Sequence, residues 1–299
     1  MNNATHTEVV EIDHLTKSFD NSTALNDLTM QVHQGEVHGF LGPNGAGKST
    51  TIRVLLGLMR ATSGSARVFG LDPWTDTVAI HSRIAYVPGD VSLWPNLTGG
   101  EVIDLLCRMR GTQPTRKAEL IERFDFDPTK KGRTYSKGNR QKVAIIAAFA
   151  ADADFYVLDE PTSGLDPLME RQFQDALRDA MGRGATALLS SHILSEVEKV
   201  CDRISIIRDG QIVDSGTMAQ LRHLTRTSIH ASVDGDPAPI TTLTGVHDLQ
   251  VDGSRVSFDV DDVDLPAVLP ELARLGVTSL TSQPPSLEDI FMRHYDRSA

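Results

Sequence analysis

Short apolar runs and amphipathic stretches alternate along the first two thirds of the chain. Val9–Phe19 and Leu28–Val32 read as strands joined by a turn around Asp20–Ser22. Gly35–Leu41 is a third strand; a glycine-rich turn follows it, then a helix carrying Ile52, Val54, Leu55 and Leu56. Ser65–Phe69 and Ile84–Val87 are further strands, the second ending at Pro88-Gly89-Asp90. From Thr98 to Phe126 the spacing turns helical, with Val102, Leu105, Leu106 and Met109 expected on one face and Leu120, Ile121 and Phe124 on another. A nearly all-apolar helix follows Ser136, a plausible N-cap. Phe155–Leu158 and Ala185–Leu189 are apolar throughout, the mark of parallel strands buried on both faces. A long amphipathic helix lies between them, and Ile204–Arg208 with Gln211–Asp214 form a hairpin on Asp209-Gly210. Beyond Leu221 the pattern changes: strands at Ser228–Val233, His247–Val251, Ser254–Val260 and Val277–Thr281, and helices at Leu265–Leu275 and Ser286–His294. An α/β domain over about 8–222, with a helical portion near 90–150, and a small α+β domain over 226–299 are therefore expected.

Composition narrows the function. With 299 residues and a net charge of −11, bulk electrostatics favour neither nucleic acid nor an anionic membrane surface. Cys107 and Cys201 lie far apart in helix-like contexts, with no metal-binding spacing. The start, Met1–Glu8, lacks the apolar core of a signal peptide. The longest apolar run, Val143–Ala151, is about half of a membrane span. A role at a membrane would need another chain to cross it. The basic cluster Arg116, Lys117, Lys130, Lys131 and Arg133 reads as a solvated face.

The chemistry concentrates in the turn after the third strand. Gly42, Gly47, Lys48 and Ser49 stand in the G-x-x-x-x-G-K-[ST] spacing of a phosphate-binding loop, between a strand and a helix as that mechanism requires. Around Pro43, which has no N–H, the residues Gly42, Asn44, Gly45, Ala46 and Gly47 can turn backbone N–H groups toward phosphate oxygens, Lys48 can place its charge on the outer phosphates, and Ser49, followed by Thr50, is set to ligate Mg²⁺. Asp159 and Glu160 end the Phe155–Leu158 strand, where α/β sheets place ligands; the aspartate can hold Mg²⁺ through water, the glutamate can ready the attacking water. His192 ends another strand and could bring an imidazole to a γ-phosphate. Phe19, upstream of the loop, either stacks on adenine or belongs to the core.

Taken in order, these motifs resemble the ATP-binding subunit of an ABC transporter over roughly Val9–Leu221. Gly42–Thr50 matches its Walker A loop, Val157–Glu160 its Walker B strand with catalytic glutamate, Ser163–Asp166 its D-loop and His192 its switch histidine. Tyr135-Ser136-Lys137-Gly138-Asn139-Arg140-Gln141 resembles the signature motif, usually Leu-Ser-Gly-Gly-Gln, with Lys137 and Asn139 as departures and Ser136 and Gly138 retained. The Tyr-Ser-Lys-Gly form is similar to that of type-2 exporters of drugs, polysaccharides and lipids, and Ser-Leu-Glu-Asp-Ile-Phe near the C-terminus resembles the extension of their drug-resistance members. The resemblance implies a P-loop NTPase fold: a RecA-like core with an antiparallel β-subdomain and a helical subdomain. It implies ATP and Mg²⁺, adenine stacking on Phe19, and a head-to-tail dimer in which Ser136, Lys137, Gly138 and Asn139 face the partner's nucleotide, with Asp166 in the D-loop. It also implies a polytopic membrane permease as partner, no nucleic acid, a peripheral place on the cytoplasmic face of the membrane, and drug or antibiotic export. The family's Q-loop glutamine aligns with Gly89; Asp90 or a water is expected in its place. A soluble ABC-type ATPase of translation or DNA repair is the alternative, though such proteins carry two cassettes or a long coiled-coil insertion.

Overall fold

The computed structural model describes residues 7–20, 22–222, 226–261 and 263–283. It divides into two compact units, Met1–Ser215 and Gly216–Ala299.

In the first unit β1 (Glu8–Phe19), β2 (Ser22–His33), β3 (Val37–Leu41), α1 (Lys48–Leu55) and β4 (Ser63–Val68) come first. β1 pairs antiparallel with both β2 and β4, with Val10 set between Val32 and Val68. α2 (Thr77–His81) and β5 (Ile84–Val87) lead into a helical layer of α3 (Gly99–Met109), α4 (Lys117–Arg123) and α5 (Lys137–Phe149). β6 (Phe155–Asp159), α6 (Pro167–Gly182), β7 (Thr186–Ser191), α7 (Leu194–Val197), β8 (Arg203–Arg208) and β9 (Gln211–Thr217) complete the main sheet. Its order is β5-β6-β7-β3-β8-β9. β3 lies between parallel neighbours β7 and β8, and β6 pairs in parallel with β5 and β7. Every residue of β3, β6 and β7 is buried, including the polar His38, Asp159, Thr186, Ser190 and Ser191, as expected of parallel strands covered on both faces.

Two expectations need correction. α3 starts with a capping box, Thr98 with Glu101, and buries Gly99, Val102, Ile103 and Cys107. Met109 is 71% exposed and Leu105 and Leu106 only half-buried. The inward stripe is therefore turned from the expected face. Gly99 is the cause: its bare Cα lets Phe126 and Tyr135 approach to 2.5 Å from where a Cβ would stand, drawing that side of α3 inward. The basic cluster also splits. Arg116 meets Glu119 at 3.0 Å and Asp179 at 3.6 Å, and Lys117 meets Asp104 at 2.7 Å, so these two tie helices together while Lys130, Lys131 and Arg133 face solvent.

The second unit holds α8 (Met218–Arg222), β10 (Arg226–Val233), β11 (Val246–Asp252), β12 (Arg255–Asp261), α9 (Leu265–Arg274) and β13 (Val277–Gln283). The sheet order is β11-β12-β10-β13, all antiparallel. Ile229, Ala231, Val233, Val256, Phe258 and Val260 alternate inward and pack with Val268 and Leu272 of α9. The helix expected at Ser286–His294 lies outside the described residues.

Gly39 in β3 marks the tightest helix-to-sheet approach near the phosphate loop. A Cβ there would stand 2.7 Å from Val197 Cγ1, 3.1 Å from Cys201 Sγ and 3.3 Å from Ile204 Cγ1. Gly39→Ala is expected to lower unfolding stability by about 1–3 kcal/mol, read by urea denaturation, because these branched neighbours cannot all retreat.

Candidate functional site

The order of the main sheet brings three strand ends together. β6, β7 and β3 are neighbours, so the segments leaving their C-terminal ends converge. From β3 comes the loop Gly42–Gly47. Gly47 caps α1 at φ 115, and a Cβ there would meet Ala24 O at 2.8 Å, so the turn into the helix admits no side chain. The first turn of α1 then opens its free N–H groups on the loop.

Lys48 folds back into this loop. Its Nζ donates to Gly42 O at 2.6 Å and Pro43 O at 3.2 Å, and stands 3.6 Å from Glu160 Oε1. The side chain is 5% exposed. Burial pushes the ammonium pKa down, and the carboxylates of Glu160 and Asp159 oppose that shift.

From β6 come Asp159 and Glu160. Asp159 is buried and accepts from Ser49 Oγ at 3.1 Å and from Ser190 Oγ. Glu160 sits at φ 47, in the left-handed region that costs a residue with a side chain about 1–2 kcal/mol. Its backbone N–H is held there by Ser190 O at 3.0 Å and Ser190 Oγ at 3.2 Å. Strain maintained by neighbouring contacts is a frequent sign of a working site. From β7 comes His192, whose Nδ1 lies 3.2 Å from Glu160 Oε1. Lys48, Glu160 and His192, each on a different strand end, thus share one carboxylate oxygen.

Magnesium fits this donor set. Ser49 Oγ and the Asp159 carboxylate are adjacent hard oxygen donors, and no group of three or more metal-ligating side chains exists among the described residues. An ion that keeps waters and shares phosphate oxygens needs few protein ligands of this kind.

The remaining expected residues are less closely joined. Phe19 is 45% exposed, with Lys17 Nζ over its ring at 5.2 Å from the centroid. Ser136 caps α5 by accepting from Asn139 N, and Asp166 caps α6 by accepting from Leu168 N and Met169 N. Gly89 lies against the end of β6; a Cβ on it would be 3.2 Å from Asp159 O. Asp90, next to it, is exposed and makes no hydrogen bond to Asp159 or Glu160 among the described residues.

Three contributors escaped sequence reading. Ser190 braces both Asp159 and Glu160. Gln141, buried in α5, donates to Pro161 O at 2.9 Å. Glu196 of α7 accepts from Thr162 Oγ1 at 2.8 Å and Ser191 Oγ at 3.3 Å, tying the segment after Glu160 to the segment before His192. Burial raises the Glu196 pKa, against the hydrogen bond from Thr162. Ser190 stood in sequence two residues before His192, directly after the apolar Ala187–Leu189, and Gln141 closed the signature-like stretch, but neither position showed what it would bond; Glu196 had no signal.

Fold and site together define a P-loop nucleotide hydrolase with a helical layer and an appended α+β unit. The family pattern described as ABC transporter matches residues 25–163, and that described as the C-terminal domain of DrrA1-3-like ATP-binding proteins matches residues 216–295. The chain belongs to the ABC transporter family, as one of its ATP-binding subunits, and is an ATP hydrolase. It is 37% identical over 226 residues to the daunorubicin/doxorubicin resistance ATP-binding protein DrrA of Streptomyces peucetius, covering 74% of this chain and 68% of that one. It is 32% identical to the daunorubicin resistance ATP-binding protein DrrA3 of Streptomyces coeruleorubidus, over 95% of this chain and 94% of the relative. It is 30% identical to the bacitracin transport ATP-binding protein BcrA of Enterococcus faecalis, over 95% and 96%. A solved ATP-binding subunit of an ABC transporter superposes with a TM-score of 0.68 at 31% identity, covering 72% of this chain and 92% of that one. No described helix is long and apolar enough to cross a membrane.

Lys48→Met removes the ammonium bonded to Gly42 O and Pro43 O and its ion pair with Glu160. Affinity for Mg-ATP is expected to fall at least roughly tenfold, measured by calorimetry on the purified chain.

Proposed function

We propose that this chain is the ATP-driven motor of an exporter, acting on a drug, antibiotic or lipid that a separate polytopic membrane subunit carries. The meeting of Lys48, Glu160 and His192 at three adjacent strand ends is the observation that carries this reading. ATP lies along the loop with adenine on Phe19 and its outer phosphates at Lys48. Ser49 and, through water, Asp159 would hold Mg²⁺, which would supply charge neutralisation on the phosphates. Glu160 accepts a proton from the attacking water as that water closes on the γ-phosphate. His192, its Nδ1 3.2 Å from Glu160 Oε1, holds the carboxylate in line and faces the γ-phosphate. Glu160 is already clamped by Ser190, so little reorganisation accompanies the step.

ATP-binding subunits of this family work as dimers with membrane permease partners. For this chain the dimer is two identical cassettes, head to tail, with Ser136, Lys137, Gly138 and Asn139 of one against the nucleotide of the other. Asp166 fixes the D-loop at their junction. Cleavage removes the phosphate that both cassettes grip, and they separate. The membrane subunit has a fitting seat in an apolar groove of about 350 Å³ lined by Leu58, Tyr86, Leu106 and Met109. Leu58 is 63% and Met109 71% exposed, which leaves them free for a partner. The chain then sits at the cytoplasmic face of the membrane without entering it. The soluble ABC-type alternative is disfavoured, because full-length relatives sharing the appended unit carry resistance and transport names.

Glu160→Gln tests the motor. The variant is expected to bind Mg-ATP, hydrolyse it at least about a hundredfold more slowly and accumulate as a dimer in gel filtration; retained turnover would remove Glu160 from its role. Asp90 or a water takes the place of the absent Q-loop side chain. If Asp90 does so, Asp90→Ala raises the Mg²⁺ concentration for half-maximal hydrolysis about tenfold; an unchanged titration assigns the place to water.

A further inference from the structure

Lys137 stands where the family's usual signature carries glycine, and it is the first residue of α5. Its side chain turns back over the D-loop. The stem carbons lie 3.4–3.6 Å from where a Cβ on Gly164 would be, and Nζ donates to Ser163 Oγ at 2.8 Å. The backbones beneath are equally close: a Cβ on Gly138 would stand 2.6 Å from Gly164 O. Gln141, bonded to Pro161 O, closes the same contact one turn deeper. The start of α5 and the D-loop therefore form one packed piece, with Lys137 as its charged edge.

The ammonium's partner here is a neutral hydroxyl. In the same helical layer Arg116, Lys117 and Arg123 all meet carboxylates. Lys137 is exposed and has no carboxylate partner among the described residues. An exposed ammonium bonded to a hydroxyl gains more by moving to an anion than a paired one would, because charge–charge contacts outweigh charge–dipole ones.

We propose that Lys137 changes partners when two copies close, leaving Ser163 Oγ of its own chain for a γ-phosphate oxygen of the ATP held by Lys48 of the second copy. The exchange rests on the head-to-tail dimer described above. It gives each γ-phosphate a second cation, one from each chain, and makes Lys137 a ligand that a glycine in this position cannot be. It also releases the Ser163 hydroxyl, so that D-loop contacts change only when the opposite site is filled.

The test uses the full chain carrying Glu160→Gln, with self-association followed by sedimentation against Mg-ATP at fixed salt. Adding Lys137→Met or Lys137→Gly is expected to raise the ATP concentration for half-maximal dimer roughly tenfold, while Lys137→Arg stays within about threefold of the parent. Adding Ser163→Ala removes only the intrachain partner and is expected to leave that concentration unchanged or lower it. Two results overturn the exchange: no response to Lys137→Met and Lys137→Gly, or a Ser163→Ala effect of the same sign and size as Lys137→Met, which makes the lysine a strut for its own loop. A parent that fails to associate in Mg-ATP overturns the dimer and the exchange together, a result distinct from either of these.

Discussion

An ammonium group that is 5% exposed has to be surrounded by lone pairs or anions, and the site is arranged around that requirement at Lys48. Two loop carbonyls and the Glu160 carboxylate meet it. The carbonyls come from its own turn, so the turn must curl tightly, and Gly42 permits this by lying where a Cβ would be 2.4 Å from Ile207 O of β8. The carboxylate comes from a strand two places away in the sheet. Burial of Lys48 therefore depends on β3 holding β7 on one side and β8 on the other.

The opposite end of β3 enforces that placement. His38 is 1% exposed, yet both ring nitrogens are matched: Nδ1 with Glu36 Oε1 at 2.9 Å and Nε2 with Ser205 Oγ at 2.9 Å, which in turn meets Ser215 Oγ at 2.8 Å. A buried polar chain of this kind is stable only when every member is satisfied, so it selects one register for β3, β8 and β9. A slip by one residue would strand His38 and carry Gly42 away from Ile207. The two ends of the strand are thus specified by different chemistry, hydrogen bonding at one and close backbone packing at the other.

Sequence legibility followed the locality of each cause. The phosphate loop, the acidic end of β6 and the cap at Ser136 are determined within a few residues and were readable, whereas Asp166 was read as part of the D-loop and not as the cap of α6. The parallel strands were readable because burial on both faces leaves mostly apolar runs, Phe155–Leu158 and Ala187–Leu189, with the polar residues gathered toward the strand ends. The inward face of α3 was not, because Gly99 is set by Phe126 and Tyr135 from beyond the helix. Arg116 and Lys117 looked solvated because Asp179 and Asp104 are distant in sequence. Glu196 was hidden for the same reason: a glutamate on a short helix resembles any surface acid, and its partner Thr162 lies on another strand end. Phe19 was ambiguous from local pattern alone, since an aromatic at a strand end serves core and ligand equally well; its exposure favours the ligand.

Helix α5 links these parts mechanically. Its last seven residues, Val143–Phe149, are buried, so it cannot bend or slide without disturbing the core. One end touches the D-loop through Gly138, Lys137 and Gln141. The other end contributes Ala147 and Ala148 to the apolar groove shared with Leu106 and Met109. Thirteen helical residues span about 20 Å, and a packed helix of that length transmits displacement rather than absorbing it. A shift at the end against Ser163 and Gly164 must therefore reappear at the groove. Side chains seated there would be moved by closure of the nucleotide site without any flexible relay between the two.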